Sequence, residues 1–141
     1  MLFTKKVCLN ELSGLVLSGV EFNKLIEGTN LKFYKLTYLD EVHNDYEFKT
    51  GINKDILEFQ PEGECLPGGI YFTESEFLSN WHGDHFWKRL VTIPPEAQVK
   101  IENNKMKANV LILSEREKIE EIKEEINDEE KDMRINAKSL G

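Results

Sequence analysis

Short runs of branched aliphatic and aromatic residues, separated by polar turn residues, recur from residue 31 to residue 113. Such runs predict β-strands, because β-branched and aromatic side chains pack well on a pleated surface. The strand-like runs lie at residues 31–37, 70–73, 88–93, 97–101 and 108–113. Alternation within the runs selects one buried face, and the core residues predicted on it are Ile70, Phe72, Val91, Ile93, Val110 and Ile112. The run at 108–113 is the most apolar, and it predicts a strand buried on both faces.

The segment between the first two runs has a weaker pattern. Residues 46–49 alternate briefly before Gly51, and residues 52–59 fit either an edge strand or an irregular loop. Both alternatives remain open, because short polar segments carry little periodicity.

The central stretch from Cys65 to Trp87 combines a turn, a strand and the start of a helix. The triplet Pro67-Gly68-Gly69 predicts a turn, since proline lacks an N–H group and glycine tolerates positive φ. A strand at residues 70–73 follows. Ser75 is then a candidate N-cap for a short helix that runs to Trp81.

A capping box predicts a helix near the N-terminus. Ser18 and Glu21 have the spacing at which each side chain accepts a hydrogen bond from the other residue's backbone N–H. Phe22 begins an apolar face, and Gly28 supplies a stop.

The same spacing recurs at Ser114 and Glu117, and it predicts an acidic helix that ends near Asp132. Its apolar stripe, which begins at Ile119, is narrow. The helix therefore fits an exposed element laid on the body, or a contact for a protein partner.

These elements predict an α+β fold: a mainly antiparallel sheet with an N-terminal helix, a short central helix and a C-terminal acidic helix. Residues 1–30 form the predicted N-terminal arm and helix. Residues 31–114 form the α+β core domain, and residues 115–141 form the acidic helix and tail.

Composition narrows the class of function. The net charge is −8, and residues 115–132 contribute −6 of it, from ten acidic and four basic residues. An acidic chain does not favour binding to a nucleic-acid backbone. No run approaches the roughly 20 apolar residues of a membrane span, and nothing near Met1 predicts a signal peptide. Two cysteines are too few for a disulfide framework, so we expect reduced thiols and a cytoplasmic location.

The pair His82 and His85 is the main candidate for metal binding, with Cys65 and His43 as further donors. Zinc requires four converging ligands, and one short pair is a weak motif. The acidic Glu64 beside Cys65 disfavours a reactive thiolate there. The chain also lacks a phosphate-binding loop, a dinucleotide fingerprint and a serine elbow. We therefore expect neither a metal nor a cofactor.

The order of several short motifs resembles a known domain. These motifs are FYKLT at 33–37, FKTGIN at 48–53, ECLPGGIYFT at 64–73, VTIP at 91–94, and KA at 107–108 leading to ILSER at 112–116. Together they resemble an uncharacterised domain of giant amoebal DNA viruses, which often precedes ankyrin repeats and has looser relatives in phages and bacteria. The resemblance implies a viral origin and a location in the host cytoplasm, and it implies no particular activity.

A second set of motifs is similar to ADP-ribosyltransferase-type folds. That resemblance implies that Tyr34 and Lys35 lie on the strand that grips NAD, that Tyr71 stacks on nicotinamide, and that Glu115 polarises the ribose. Lys35 stands where such enzymes have histidine or arginine, and Glu115 follows its strand.

Two functions therefore follow as expectations. The first is a small non-enzymatic binding or interaction module for a protein partner or a small ligand. The alternative is a divergent ADP-ribosyltransferase-like enzyme or nucleotide binder. A cleft that contains both Tyr71 and Glu115 would favour the alternative.

Overall fold

The computed structural model describes residues 5–61, 68–81 and 83–119. The two α-helices in these ranges are α1 (Gly19–Ile26) and α2 (Leu78–Trp81). Short 3₁₀ turns lie at Leu9–Leu12 and Ser75–Phe77. The strands are β1 (Val16–Ser18), β2 (Phe33–Thr37), β3 (Val42–His43), β4 (Tyr46–Glu47), β5 (Gly51–Lys54), β6 (Ile70–Glu74), β7 (Trp87–Thr92), β8 (Gln98–Glu102), β9 (Lys105–Ala108), β10 (Val110–Leu113) and β11 (Glu117–Lys118).

One antiparallel sheet organises the described residues, in the order β1-β8-β9-β6-β2-β7-β10-β5. The short strand β11 also pairs with β7, while β3 and β4 form a separate hairpin. The mainly antiparallel sheet predicted from the sequence is confirmed. The N-terminal segment belongs to the same sheet, because β1 pairs with β8.

The main core lies on one face of this sheet, under α1. Phe22 of α1 packs its ring 5.3 Å from Phe33 of β2 and 6.3 Å from Phe72 of β6, measured between centroids. The helix begins at a capping box, in which Ser18 Oγ accepts from the Glu21 N–H and Glu21 Oε1 accepts from the Ser18 N–H. The local cap thus sets where the helix starts, and Phe22 fastens it to the sheet.

A smaller apolar cluster lies apart from this core. Buried Leu36 of β2, Leu78 of α2 and Ile119 pack together, with Tyr34 and Trp81 against them. Ile119 therefore anchors the chain after β11 to this cluster.

The predicted helix start at Ser114 is wrong. Residues Glu117 and Lys118 continue as the extended strand β11, paired with Lys88 and Trp87 of β7. Ser114 Oγ accepts a hydrogen bond from the Leu90 N–H at 2.8 Å, so it binds the neighbouring strand. Pairing with β7 has overridden the local capping signal. The remainder of the predicted acidic helix and its tail, residues 120–141, lies outside the described residues.

The predicted single strand at 108–113 is two strands that meet at Asn109. Ala108 ends β9, and Val110 begins β10, which turns away to pair with β7 and β5. Asn109 Oδ1 accepts from the Gln98 N–H at 2.8 Å, so the asparagine ties the bend to β8. Within β10, Leu111 is buried, whereas the predicted core residue Ile112 is only half-buried. The other five predicted core residues are buried, namely Ile70, Phe72, Val91, Ile93 and Val110.

The short helix after β6 also begins differently from the prediction. Its N-cap position is Glu74, and Ser75 is the first residue of the 3₁₀ turn that leads into α2. The Ser75 N–H donates to the Lys32 carbonyl, so a bond to the chain before β2 takes the place of a side-chain cap.

None of the helices described here has the length and hydropathy that a membrane span requires.

Candidate ligand-binding cleft

A cleft opens where β2 and β6 separate. The two strands pair only at Phe33–Glu74 and Tyr34–Thr73. Beyond Tyr34, β2 stays paired with β7, and β6 stays paired with β9. Residues 35–37 of β2 and residues 70–72 of β6 line a cleft of about 560 Å³. A cleft of this kind arises because each strand keeps its outer neighbour while the two inner edges part.

Lys35 of β2 lines the cleft and is 9% exposed. Its Nζ lies 5.0 Å from the centroid of the Phe48 ring. Burial lowers the pKa of Lys35 to about 8, although the negative charge of Asp55 partly opposes the shift. Among the described residues, no carboxylate lies within ion-pair distance of Lys35. The cleft therefore contains a buried amine close to an aromatic ring.

The glycine turn before β6 forms one wall. Gly69 has φ of +134°, and a Cβ there would lie 2.9 Å from Lys107 Cδ, so only glycine fits without a shift. The Gly69 N–H donates to Asp55 Oδ2 at 2.6 Å, and the Leu57 N–H donates to Asp55 Oδ1 at 3.0 Å. Asp55 thus ties the segment after β5 to the start of β6. The turn glycines proposed from the sequence are explained by this close approach.

A buried ion pair holds the opposite wall. Arg89 of β7 donates from Nε and Nη2 to the two carboxylate oxygens of Glu41, at 2.7 and 2.8 Å. Thr37 Oγ1 also donates to Glu41, at 2.9 Å. Burial acts to raise the pKa of Glu41, but the hydrogen bonds from Arg89 and Thr37 outweigh it and lower the pKa. Glu41 has a positive φ of 57°, so the pair fixes a strained loop between β2 and β3.

Aromatic rings form the rim. Tyr38 stacks on His85, with centroids 4.6 Å apart and planes at 19°, and His43 lies 6.0 Å from Tyr38. Burial and the nearby charges of Lys35 and His85 lower the pKa of His43. The imidazole is therefore more often neutral at pH 7 than an exposed histidine.

Tyr71 of β6 lines the cleft from the other side. Its hydroxyl donates to Glu102 Oε2 at 3.3 Å, and Lys105 Nζ lies 4.3 Å from its ring centroid. Lys107 Nζ, behind the wall, lies 5.5 Å from the same ring. Two cations and a carboxylate therefore fix Tyr71, and one region of its ring is already in contact with Lys105.

Three of the four site residues implied by the enzyme resemblance come together. Tyr34, Lys35 and Tyr71 all line the cleft, whereas Glu115 is exposed and does not. Glu115 lies apart because the chain after Ser114 runs along the far side of β7, away from the separation between β2 and β6.

The metal candidates are brought together only in part. His43 and His85 both line the cleft, but Cys65 and His82 lie outside the described residues. Within the described ranges, no three histidine, cysteine, aspartate or glutamate side chains converge as a metal site requires.

Sequence reasoning did not identify several cleft residues, above all Glu41, Asp55, Trp81 and Lys105. Glu41 and Arg89 are 48 positions apart, and Trp81 binds the Asn104 carbonyl across 23 positions. No local pattern connects residues at such separations. The sequence feature that did point to this region was the pair Gly68-Gly69, where the backbone passes too close to neighbouring residues for a side chain to fit.

Sequence comparison relates the chain to ankyrin repeat proteins of Acanthamoeba polyphaga mimivirus. One is 31% identical over 64 residues, which are 44% of this chain and 32% of the relative. Another is 38% identical over 42 residues, which are 30% of this chain and 7% of the relative. The chain thus matches about a third or less of the length of these relatives. The expected link to giant-virus proteins is confirmed at this level.

No family model matches the chain, and no solved structure gives a significant match. The resemblance to ADP-ribosyltransferase-type folds therefore gains no support from known structures.

Proposed function

We propose that this domain is a small non-enzymatic binding module whose ligand site is the cleft between β2 and β6. Its ligand is a compact molecule with a flat ring and an anionic group, the chemistry of a mononucleotide. The observation that carries the proposal is the separation of β2 from β6 beyond Tyr34, which leaves an open cleft inside an otherwise continuous sheet.

The dimensions of the cleft support a small ligand. Ligand pockets commonly measure about 300–1,000 Å³, and this cleft measures about 560 Å³. Its walls are fixed by the Glu41–Arg89 pair on one side and by the Asp55–Gly69 hydrogen bond on the other. A site held open by bonded walls loses little conformational entropy when a ligand enters.

The chemistry of the lining favours a flat anion. Tyr38 and His85 present aromatic surface at the rim. Lys35 supplies positive charge, and among the described residues no carboxylate lies within ion-pair distance of it. Ring stacking with a nearby cation is the usual combination for recognising a nucleotide base and its phosphate.

The alternative function, a divergent ADP-ribosyltransferase-like enzyme, is supported by Tyr34, Lys35 and Tyr71 in one cleft. It lacks the acid that the resemblance implied, because Glu115 lies outside. Glu41 is a carboxylate within the cleft, but Arg89 and Thr37 already occupy its oxygens. A binding function without catalysis therefore explains more features of the cleft than the enzyme alternative does. The relatives and the two cysteines support action of a viral protein in the host cytoplasm.

Titration with ADP, followed by backbone amide NMR, tests this proposal. We expect shifts confined to residues that line the cleft. Tyr38→Ala should weaken ADP binding by roughly tenfold, because stacking of one base is worth about 1–3 kcal/mol. Lys35→Met should weaken it by a similar factor through loss of the cation.

Leu39→Ala is the matched control, since Leu39 adjoins Tyr38, is 65% exposed and does not line the cleft. Binding by this variant should stay within about twofold of the parent, as exposed single substitutions have small effects. Shifts spread over the surface, or equal effects of the Tyr38 and Leu39 substitutions, would refute the assignment of the cleft as the binding site.

A further inference from the structure

Lys35 has a structural setting that the other cleft lysine does not share. Lys105 Nζ lies 3.9 Å from Glu102 Oε1. It also lies 4.3 Å from the ring centroid of Tyr71 and 5.0 Å from that of Trp81. Lys35 lines the same cleft from the middle of a strand, and its described neighbour is the Phe48 ring. An ammonium ion is poorly solvated in such a position, so burial shifts the protonation equilibrium of Lys35 toward the neutral amine.

We propose that Lys35 is a nucleophilic amine that forms an imine with an aldehyde bound in the cleft. The inference rests on the proposed function only in that it requires a ligand to enter the cleft between β2 and β6. A desolvated lysine in an apolar pocket is one of the established ways in which proteins activate an amine toward carbonyl compounds.

The reaction balances without a further reagent. The neutral Lys35 Nζ adds to the carbonyl carbon, and a C–N bond forms as the C=O π bond breaks. The resulting carbinolamine loses its oxygen as water, which takes two protons that derive from the amine. The products are one imine and one water molecule, with no oxidation or reduction.

The surroundings of Lys35 keep part of its population neutral at pH 7. Burial lowers the pKa of Lys35 to about 8, and the charge of Asp55 opposes the shift only in part. The titratable groups that line the cleft besides Lys35 are Tyr34, Tyr38, Glu41, His43, Tyr46, Asp55, Tyr71, His85 and Lys105. Glu41 is engaged by Arg89, and both oxygens of Asp55 accept backbone N–H groups. In the described part of the chain, none of the ion pairs involves Lys35.

The size of the expected preference follows from that pKa. At pH 7 about a tenth of an amine of pKa 8 is neutral, against well under a thousandth of an ordinary lysine. The ratio is above 100. Limited access and lower basicity reduce the gain in rate, so we expect Lys35 to be labelled at least about tenfold faster than an exposed lysine.

The test treats the full chain with pyridoxal 5′-phosphate, a flat anionic aldehyde, at pH 7. Borohydride then reduces any imine to a stable secondary amine, and peptide mapping measures the labelling of each lysine. We expect Lys35 to be labelled first, at least about tenfold ahead of the exposed Lys54 of β5. The preference should disappear in denaturant, and Lys35→Arg should remove it, because arginine forms no such imine.

Pyridoxine 5′-phosphate, which carries an alcohol in place of the aldehyde, separates the two proposals. If it shifts the cleft amides in NMR but the aldehyde does not label Lys35 preferentially, imine formation is refuted and the binding site stands. If neither compound acts at the cleft, both ideas fail for ligands of this class. A preference for Lys35 that persists in the unfolded chain would also overturn the inference, since it would not depend on the cleft.

Discussion

Replacing Lys35 with methionine should stabilise the protein at neutral pH and lose that advantage in alkali. The folded-state pKa of Lys35 is about 8, below the ordinary value of 10.5. Between those values the unfolded chain binds a proton that the folded chain does not, so the free energy of unfolding rises with pH across this window. Below this pH window Lys35 is charged in both the folded and the unfolded state, and the folded state bears the full cost of burying an ammonium ion.

The pKa difference sets the magnitude. A depression of about 2.5 units corresponds to about 3 kcal/mol, at 1.36 kcal/mol per unit. Methionine keeps most of the length and apolar stem of lysine without the charge. It forfeits the contact of Nζ with the Phe48 ring, which is worth about 0.5–2 kcal/mol. At pH 7 we therefore expect Lys35→Met to raise the free energy of unfolding by about 1–3 kcal/mol.

Urea denaturation of the parent and the variant at several values between pH 7 and pH 11 measures this effect. The difference between them should shrink through the window from about pH 8 to 10.5. Burial also lowers the pKa of Lys107, but that titration affects both proteins and cancels in the difference. Lys54→Met, at an exposed position of β5, is the matched control and should show no comparable change. A Lys35→Met difference that stays constant from pH 7 to pH 11 would refute the buried, depressed amine.

Three further perturbations test the fold around the cleft. Leu111→Ala should lower the free energy of unfolding by about 2–5 kcal/mol, and Ile112→Ala should lower it by clearly less, because of these two residues only Leu111 is fully buried. Equal losses in urea denaturation would contradict the assignment of faces in β10. Glu41→Gln should cost about 3–5 kcal/mol, since it strips a buried guanidinium of its counter-charge, whereas Arg116→Ala, at a half-exposed partner, should cost about 1 kcal/mol or less. A chain that ends at residue 119 should have a higher thermal unfolding midpoint than one that ends at residue 116, because only the longer chain retains β11 and buried Ile119. Indistinguishable midpoints would show that β11 and Ile119 do not contribute to stability.

The sequence predicted correctly those elements that depend on interactions between residues close together in the chain. The capping box at Ser18 and Glu21 starts α1, because its hydrogen bonds join residues three positions apart. The glycines before β6 mark a turn, because their φ values of +95° and +134° disfavour other residues. Alternation in β7 identified Val91 as buried, since side chains of a strand point to opposite faces in turn.

Pairing between distant strands decided the rest. Ser114 and Glu117 carry the same capping pattern as Ser18 and Glu21, yet the chain there is extended, because β7 offers it backbone partners. The bend at Asn109 likewise depends on the strands that pair with β9 and β10, which are β6 and β7. The sequence of residues 108–113 by itself predicts a single continuous strand.

The cleft itself is the clearest product of tertiary structure. Each of β2 and β6 has an ordinary strand sequence, and nothing in either predicts that they part after Tyr34. They part because β7 and β9 hold their outer edges while the Glu41–Arg89 pair and the Asp55–Gly69 bond fix the loops on either side. The composition of the strands therefore determined that a sheet would form and that Tyr34, Lys35 and Tyr71 would lie on it. Their convergence around an open space was decided by contacts between residues 14 to 48 positions apart, which no local pattern records.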